Sequence, residues 1–303
     1  MCIRDRASTI MLASNKPTLI APSMNVKMWE NQNTIANVLK LKEQGIHFIG
    51  PNKGEMACGE VGYGKMASVQ EIKKEIDYLL KPGILTGKRA LVTSGPTIEQ
   101  IDPVRFISNN SSGKQGHAIA DALRRHGADT NLISGPVNIK DPENVKVTKV
   151  NSAEEMLHEC RESLPVNIAI FAAAVSDWRC SNTSNIKIKK TPENDELNLN
   201  LEKNQDILKE ISTLNKNRPD LVIGFSLETD NLIETAKEKL KNKSCDWIVA
   251  NGHYNGKESV FDSDMNSVKL VENDNLEDWG YLTKNDVAEK LCIKISKFFN
   301  EAA

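Results

Sequence analysis

Two rhythms of apolar and polar positions run along the chain. Short unbroken apolar runs predict buried strands, and apolar residues three and four apart predict helices with one buried face. Near the start, residues 18–21 form an apolar run that ends at Pro22, and residues 47–50 form another. Between them Ile35, Val38, Leu39 and Leu41 make the stripe of a helix over 34–44, which Gly45 closes. Ser68 caps a helix running to Leu80, stopped by Lys81, Pro82 and Gly83. From there strand and helix alternate. The pattern predicts strands over 89–93, 130–134, 145–150, 168–174, 221–225, 247–250 and 267–271. Predicted helices end at Gly127 and Ser163, and others cover 206–214, 232–241 and 285–299. Ser152 and Glu155 form a capping box for the helix ending at Ser163. Residues 168–174 are continuously apolar, as in a parallel strand buried on both faces. The expected class is α/β: a doubly wound, Rossmann-like, mostly parallel sheet over residues 84–303. A smaller α/β segment, 1–83, precedes it across the Pro/Gly junction.

The connection after the first strand of the larger part breaks the rhythm. Residues 94–116 hold three glycines, two prolines and a run of hydroxyls and amides, and then a helix begins with Ala118, Ile119, Ala122 and Leu123 on one face. A plain strand-to-helix turn needs only about two to six residues. This one is long enough for a functional loop, with backbone donors at a helix N-terminus where the dipole favours a phosphate or carboxylate. In a sheet of this class ligands bind beyond the carboxyl ends of the strands. The residues there are Val175, Ser176, Asp177 and Trp178, then Ser226, Leu227, Glu228 and Thr229, and then Asn251. Lys187, Lys189 and Lys190 read either as a solvated loop or as contacts to a triphosphate. Residues 54–66, with four glycines in thirteen residues, read either as a flexible loop or as one closing over a ligand, with Cys58 its one plausible chemical group.

Two familiar nucleotide loops are excluded. The second strand ends in Ser134, Gly135 and Pro136, without the acid that a dinucleotide site places there, and Gln115 stands where a Walker loop needs a hydroxyl.

Composition narrows the classes without choosing among them. Hydrophobic residues are 39% and charged residues 26%, with a net charge of −2, so there is no bulk electrostatic attraction to nucleic acid or an anionic membrane. No apolar run approaches the ~20 residues that span a bilayer. The six cysteines are scattered, without a Cys-x-x-Cys or a histidine pair, so zinc and disulfides are not expected and a cytoplasmic setting is. Residues 1–6 interleave charges with single apolar residues, unlike a signal peptide.

Several stretches resemble the bifunctional coenzyme A biosynthesis family that joins phosphopantothenoylcysteine decarboxylase to phosphopantothenate–cysteine ligase. The carriers for the ligase half are Ser-Gly-Pro-Thr from Ser94, Asp-Pro-Val-Arg-Phe-Ile-Ser-Asn from Asp102, and Ser-Ser-Gly-Lys-Gln-Gly from Ser111. Ala-Ala-Val-Ser-Asp-Trp from Ala173, Lys-Ile-Lys-Lys from Lys187 and Gly-Phe-Ser-Leu-Glu-Thr from Gly224 join them. Asn204 to Leu208 corresponds to the family's Asn-Pro-Asp-Ile-Leu, with Gln205 in place of proline. Pro-Ser-Met-Asn from Pro22 is similar to the decarboxylase Pro-Ala-Met-Asn, and residues 54–66 to its substrate clamp.

The resemblance implies that CTP and the carboxylate of 4′-phosphopantothenate form an acyl-cytidylate and pyrophosphate, with Mg²⁺. Cysteine's amine then attacks and releases CMP. It implies that Lys187 acts on the phosphates, Asn109 holds the acyl-cytidylate and Arg105 places phosphopantothenate. It further implies a CTP site of Phe171, Ala172, Ala173, Asp177, Lys187, Gln205, Asp206, Ile207, Leu208, Phe225, Lys239 and Lys243. The residues that hold Mg²⁺ are left open. Homodimers through the ligase half are expected, with neither nucleic acid nor membrane as partner.

For the decarboxylase half the resemblance implies FMN, with Asn25 binding the substrate carboxylate and Cys58 donating a proton. The family's flavodoxin-like domain starts well before the matching residues here. Segment 1–83 is therefore expected to be a C-terminal remnant that neither holds FMN tightly nor decarboxylates. The rival reading is a non-catalytic regulatory protein derived from the decarboxylase, which would need neither Asn109 nor Lys187.

Overall fold

The structure, a computed structural model, describes residues 3–56, 59–80, 83–189, 197–228, 231–252, 263–273 and 275–301. The chain forms two compact units, Met1–Pro82 and Gly83–Ala303.

In the first unit a parallel pair, Leu19–Ile20 and His47–Phe48, is accompanied by helices Ile3–Ala13, Val26–Trp29, Gln32–Glu43 and Val69–Leu80. The last of these opens with a reciprocal cap: Ser68 Oγ accepts from Glu71 N, and Glu71 Oε2 accepts from Ser68 N at 2.6 Å. The glycine-rich stretch departs from the loop expectation. It holds an antiparallel hairpin, Asn52–Glu55 with Val61–Lys65. A Cβ on Gly64 would lie 2.2 Å from the Met24 carbonyl oxygen, so this glycine is there for close backbone approach. Glycine density alone does not announce this pairing, which packing against residues far away in sequence fixes.

The second unit is built on one sheet of eight strands: β1 (Arg89–Ser94), β2 (Asp129–Ser134), β3 (Lys146–Lys149), β4 (Ile168–Phe171), β5 (Leu221–Glu228), β6 (Trp247–Gly252), β7 (Met265–Val271) and β8 (Leu276–Thr283). Their spatial order is β8-β7-β6-β5-β4-β1-β2-β3. β1 to β6 run parallel, and β7 and β8 close one edge antiparallel. The helices are α1 (Lys114–Arg125), α2 (Ala153–Glu162), α3 (Ile207–Ser212), α4 (Leu232–Lys243) and α5 (Lys284–Glu301).

Side chains alternate across a strand, so each strand feeds two cores. Val92, Ile168, Ile170, Ile223 and Val249 pack with Ile119 and Leu123 of α1 and Val287, Leu291 and Ile295 of α5. Leu91, Ala169, Val222 and Ile248 pack on the opposite face with Met156 of α2, Ile211 of α3 and Leu240 of α4. Burial on both faces explains why these strands read as continuous apolar runs. β8 escaped the pattern because it is an edge strand with acids at Glu277 and Asp278. Two hairpins were also missed: Ile98–Gln100 with Phe106–Ser108, and Trp178–Cys180 with Leu201–Lys203. The first lies inside the long connection after β1, which is therefore partly ordered as a sheet.

α1 and α5 are joined by charge as well as by packing. Glu289 accepts from His126 Nε2 at 2.8 Å and pairs with Arg125. The histidine hydrogen bond, with the arginine, holds the Glu289 carboxyl down to about 2 despite its burial. A carboxyl held low in the folded chain contributes stability above its unfolded value of 4.5, and loses that contribution as pH falls from there toward 2. Glu289→Gln is expected to cost about 1–2 kcal/mol at neutral pH after discounting for partial exposure, and almost nothing near pH 2. Urea titrations at several pH values measure this, and a pH-independent difference would remove the ion pair as the cause.

Candidate active site

The carboxyl ends of β1, β4, β5 and β6 open into one cavity of about 570 Å³. Its walls come from Thr93, residues 109–116, residues 171–177, residues 203–208, residues 225–227, Lys239, Lys243, Ile248, Asn251, Asn266 and Lys284. The position follows from topology. The chain leaves β1 toward β2 and β3, then crosses to β4 on the other side, and the two connections diverge to leave a crevice.

The floor is the start of α1. Gly113 is its N-cap, with φ of 73° and no side-chain cap. A Cβ on Gly116 would sit 2.5 Å from Ser94 Cβ and 3.0 Å from its Cα, so only glycine lets the first turn rest on the end of β1. Ser94 Oγ donates to the Gly113 carbonyl at 2.9 Å and lies 2.9 Å from His117 Nδ1. Burial pushes the His117 imidazole below its usual value, so it is neutral at pH 7. These contacts hold α1's N-terminal N–H groups toward the cavity, where the helix dipole attracts anions. Gly116→Ala is expected to destabilise the chain by about 1–3 kcal/mol through overpacking against backbone. A denaturant midpoint equal to that of the unsubstituted chain would show that the turn has slack.

The long connection is tied to the end of β4. Asn109 Nδ2 donates to the Val175 carbonyl at 2.9 Å, Ser176 N donates to Thr97 Oγ1 at 2.9 Å, and Ser108 Oγ donates to the Thr97 carbonyl at 2.7 Å. Opposite, buried Asn204 donates to the Ser176 carbonyl at 2.9 Å. Asp206 caps α3 through Lys209 N at 3.1 Å, and its other oxygen pairs with Lys243. Lys239 Nζ donates to Ser226 Oγ at 2.9 Å. Lysines 114, 203, 239, 243 and 284 outnumber Asp177 and Asp206 on the walls, so the field favours an anionic ligand.

Of the residues singled out in the sequence, Asn109, Phe171, Ala172, Ala173, Asp177, Gln205, Asp206, Ile207, Leu208, Phe225, Lys239 and Lys243 line this cavity. Arg105 and Lys187 are not among its described lining residues. Arg105 instead clamps a backbone, with Nη2 donating to the Ile188 carbonyl at 3.1 Å and Nη1 lying 3.4 Å from Asp102. Asp102 in turn accepts from Ile188 N at 3.1 Å, so the segment carrying Lys187 is held through both the N–H and the C=O of Ile188. Burial raises the Asp102 carboxyl, but the N–H donors of Val104, Ile188 and Arg105 and the arginine's charge outweigh it and hold it low. Lys190 and Thr229 lie outside the described residues.

In the first unit Asn25 caps its own helix, accepting from Lys27 N at 2.9 Å, and donates to Glu60 Oε2 at 2.5 Å. Cys58 lies outside the described residues. The cavity also has lining residues that sequence reading did not single out as a site: Lys203, Asn266 and Lys284. Asn266 and Lys284 come from the antiparallel edge and the final helix, and no pattern in the sequence says that these return to the crevice. Among the described residues there is no cluster of three metal-ligating side chains, and no helix long and apolar enough to cross a membrane.

Residues 85–299 match the model of the DNA/pantothenate metabolism flavoprotein C-terminal domain, and residues 4–81 match the Flavoprotein model. The Coenzyme A biosynthesis bifunctional protein CoaBC of Haemophilus influenzae is 43% identical over 88% of this chain and 66% of its own length. The chain thus spans about two thirds of that relative. A Cysteine/Cysteine sulfinic acid decarboxylase from an unknown prokaryotic organism is 39% identical over 95% of this chain and 81% of its own length. The crystal structure of the C-terminal domain of a CoaBC protein superposes with a TM-score of 0.60 at 33% identity, covering 72% of this chain and 99% of that one. With a Flavoprotein segment followed by the C-terminal domain that holds the cavity, the chain belongs to the CoaBC family of bifunctional coenzyme A biosynthesis proteins.

Proposed function

We propose that the second unit joins 4′-phosphopantothenate to cysteine at the expense of CTP. The observation that carries the reading is the lysine-rich cavity at the crevice between β1 and β4, which Asn109 and the residues of the implied CTP site other than Lys187 line together. The parallel order β3-β2-β1-β4-β5-β6 is that of the doubly wound nucleotide-binding sheet, which supports a nucleotide there. Lys239, Lys243 and the N–H groups at the start of α1 take the charge of the triphosphate. A carboxylate oxygen of phosphopantothenate attacks the α-phosphorus, and the bond to pyrophosphate breaks. Cysteine's amine then attacks the acyl carbon, CMP leaves, and the amine loses a proton. Lys187 serves the first step. Asn109, fixed on the Val175 carbonyl, orients the mixed anhydride.

Asp206 is engaged by Lys243 and by the start of α3, so Asp177 is the cavity carboxylate suited to a Mg²⁺ that arrives with the triphosphate. That ion would screen the carboxylate's approach to the phosphates. Both ends of the Asn25 amide are engaged, by Lys27 N–H and Glu60, so no step on a substrate carboxylate is assigned to it. The test is release of pyrophosphate from CTP on adding phosphopantothenate and Mg²⁺, followed by CMP on adding cysteine. No pyrophosphate from the purified chain would overturn the proposal and favour the regulatory reading.

A further inference from the structure

One end of the cavity lies where β6 and β7 meet the starts of α1 and α5, and the hydrogen-bond directions there can be worked out. The Lys284 carbonyl only accepts, so Gln115 Nε2 is the donor in their 3.1 Å bond. That turns Gln115 Oε1 toward Asn266 Nδ2, 3.4 Å away, and leaves Asn266 Oδ1 as the remaining end of its amide. Asn266 is 2% exposed, and this buried oxygen has no donor. Asn251 Oδ1 is likewise buried without a donor.

The two asparagines share a face. Asn251 is opposite Val268 in the β6–β7 register, and Asn266 is two residues before Val268, so both point to the side that α1 and α5 cover. A buried acceptor left without a donor keeps its full desolvation penalty, and two at one end of a polar cavity indicate a missing donor.

The same end is bordered by cations. Lys114 and Lys284 are the first residues of α1 and α5, both line the cavity, and Lys114 is held by Asp264 at 2.8 Å. A phosphate would set its oxygens against the two amide oxygens, and a simple cation would meet the lysines. A ligand with an ammonium and a carboxylate on one carbon satisfies both sets of groups. We infer that this end of the cavity receives an α-amino acid as its zwitterion, the ammonium on Asn251 and Asn266 and the carboxylate toward Lys284 at the start of α5. The inference rests on the ligase reading for the identity of that amino acid, cysteine, and places the nucleophile on the far side of the crevice from Lys239 and Lys243.

Asn266→Leu keeps the branched shape and removes the acceptor, together with the donor to Gln115. In steady-state turnover it is expected to raise the KM for L-cysteine at least ten-fold while the KM for CTP moves less than two-fold. A rise in the KM for CTP instead would assign the acceptors to the base's amino group and overturn the inference, as would no change in either. Cysteamine, which lacks the carboxylate, is expected to show a higher KM than cysteine in the unsubstituted chain, and an equal KM would refute the carboxylate half. If the leucine variant does not fold, Asn251→Ala, at a half-buried position, carries the same comparison. Calorimetric titration of L-cysteine with phosphopantothenate present and CTP left out reads the site without turnover. Binding that Asn266→Leu weakens ten-fold upholds the subsite even if no pyrophosphate forms, so a failure of the ligase reading is told apart from a failure of the subsite. Absence of binding to the unsubstituted chain overturns the subsite.

Discussion

Lys187→Gln is expected to lower pyrophosphate release from CTP and phosphopantothenate by about 10²–10³-fold, the usual cost of one group aimed at developing charge. Lys187 is exposed, and its segment is positioned through the backbone of Ile188, whose N–H is held by Asp102 and whose C=O is held by Arg105. The substitution therefore removes a charge without disturbing the anchor. Thermal unfolding should be unchanged, and any second-step rate measured with a preformed intermediate should fall far less than the first. Pyrophosphate release at the unsubstituted rate would detach Lys187 from the chemistry and return it to the solvated loop that is its bland reading.

Asn109→Asp is expected to act on the other step. The amide of Asn109 donates to the Val175 carbonyl, and an aspartate there offers no donor and sets a carboxylate against that oxygen. The lost orientation falls on the mixed anhydride, so the first turnover of pyrophosphate should survive while CMP release in the presence of cysteine drops by about 10²-fold or more. Rapid-quench measurement of the two products separates the steps. Equal loss of both would make Asn109 a general support of the cavity wall instead of a group that acts on the intermediate.

Much of the second unit could be read directly because burial on both sheet faces writes itself into the sequence. Ile168 to Phe171 and Trp247 to Ala250 are apolar without interruption, and both are strands. The caps are local, made within one turn of helix, so sequence spacing specifies them: Ser68 and Glu71 cap each other, and Ser152 Oγ accepts from Glu155 N while Glu155 accepts from Asn151 N. The residues that end β4 and β5 fall on the cavity because a parallel sheet sends every carboxyl end to the same edge.

Where two physical causes leave the same trace, sequence could not choose. Glycines at 54, 59, 62 and 64 read as a flexible loop or as one closing over a ligand, and the hairpin with the Met24 carbonyl against Gly64 comes from packing that neither reading includes. Arg105 and Lys187 stand in stretches that resemble a ligase, yet their place relative to the cavity depends on the Asp102 clamp across more than eighty residues of chain.

The stretch from Ser94 to Gly116 shows both sides. Its length, its glycines and its position after a buried strand determined that it would run along the carboxyl edge of the sheet to the start of a helix, since those are local constraints on backbone and dipole. Tertiary structure decided that it folds back as a hairpin, ties to β4 through Asn109, and shares its cavity with Asn266 and Lys284 from the last strands and helix. Those partners are joined by pairing and packing between segments far apart in the chain, and no local pattern encodes which distant segments will meet.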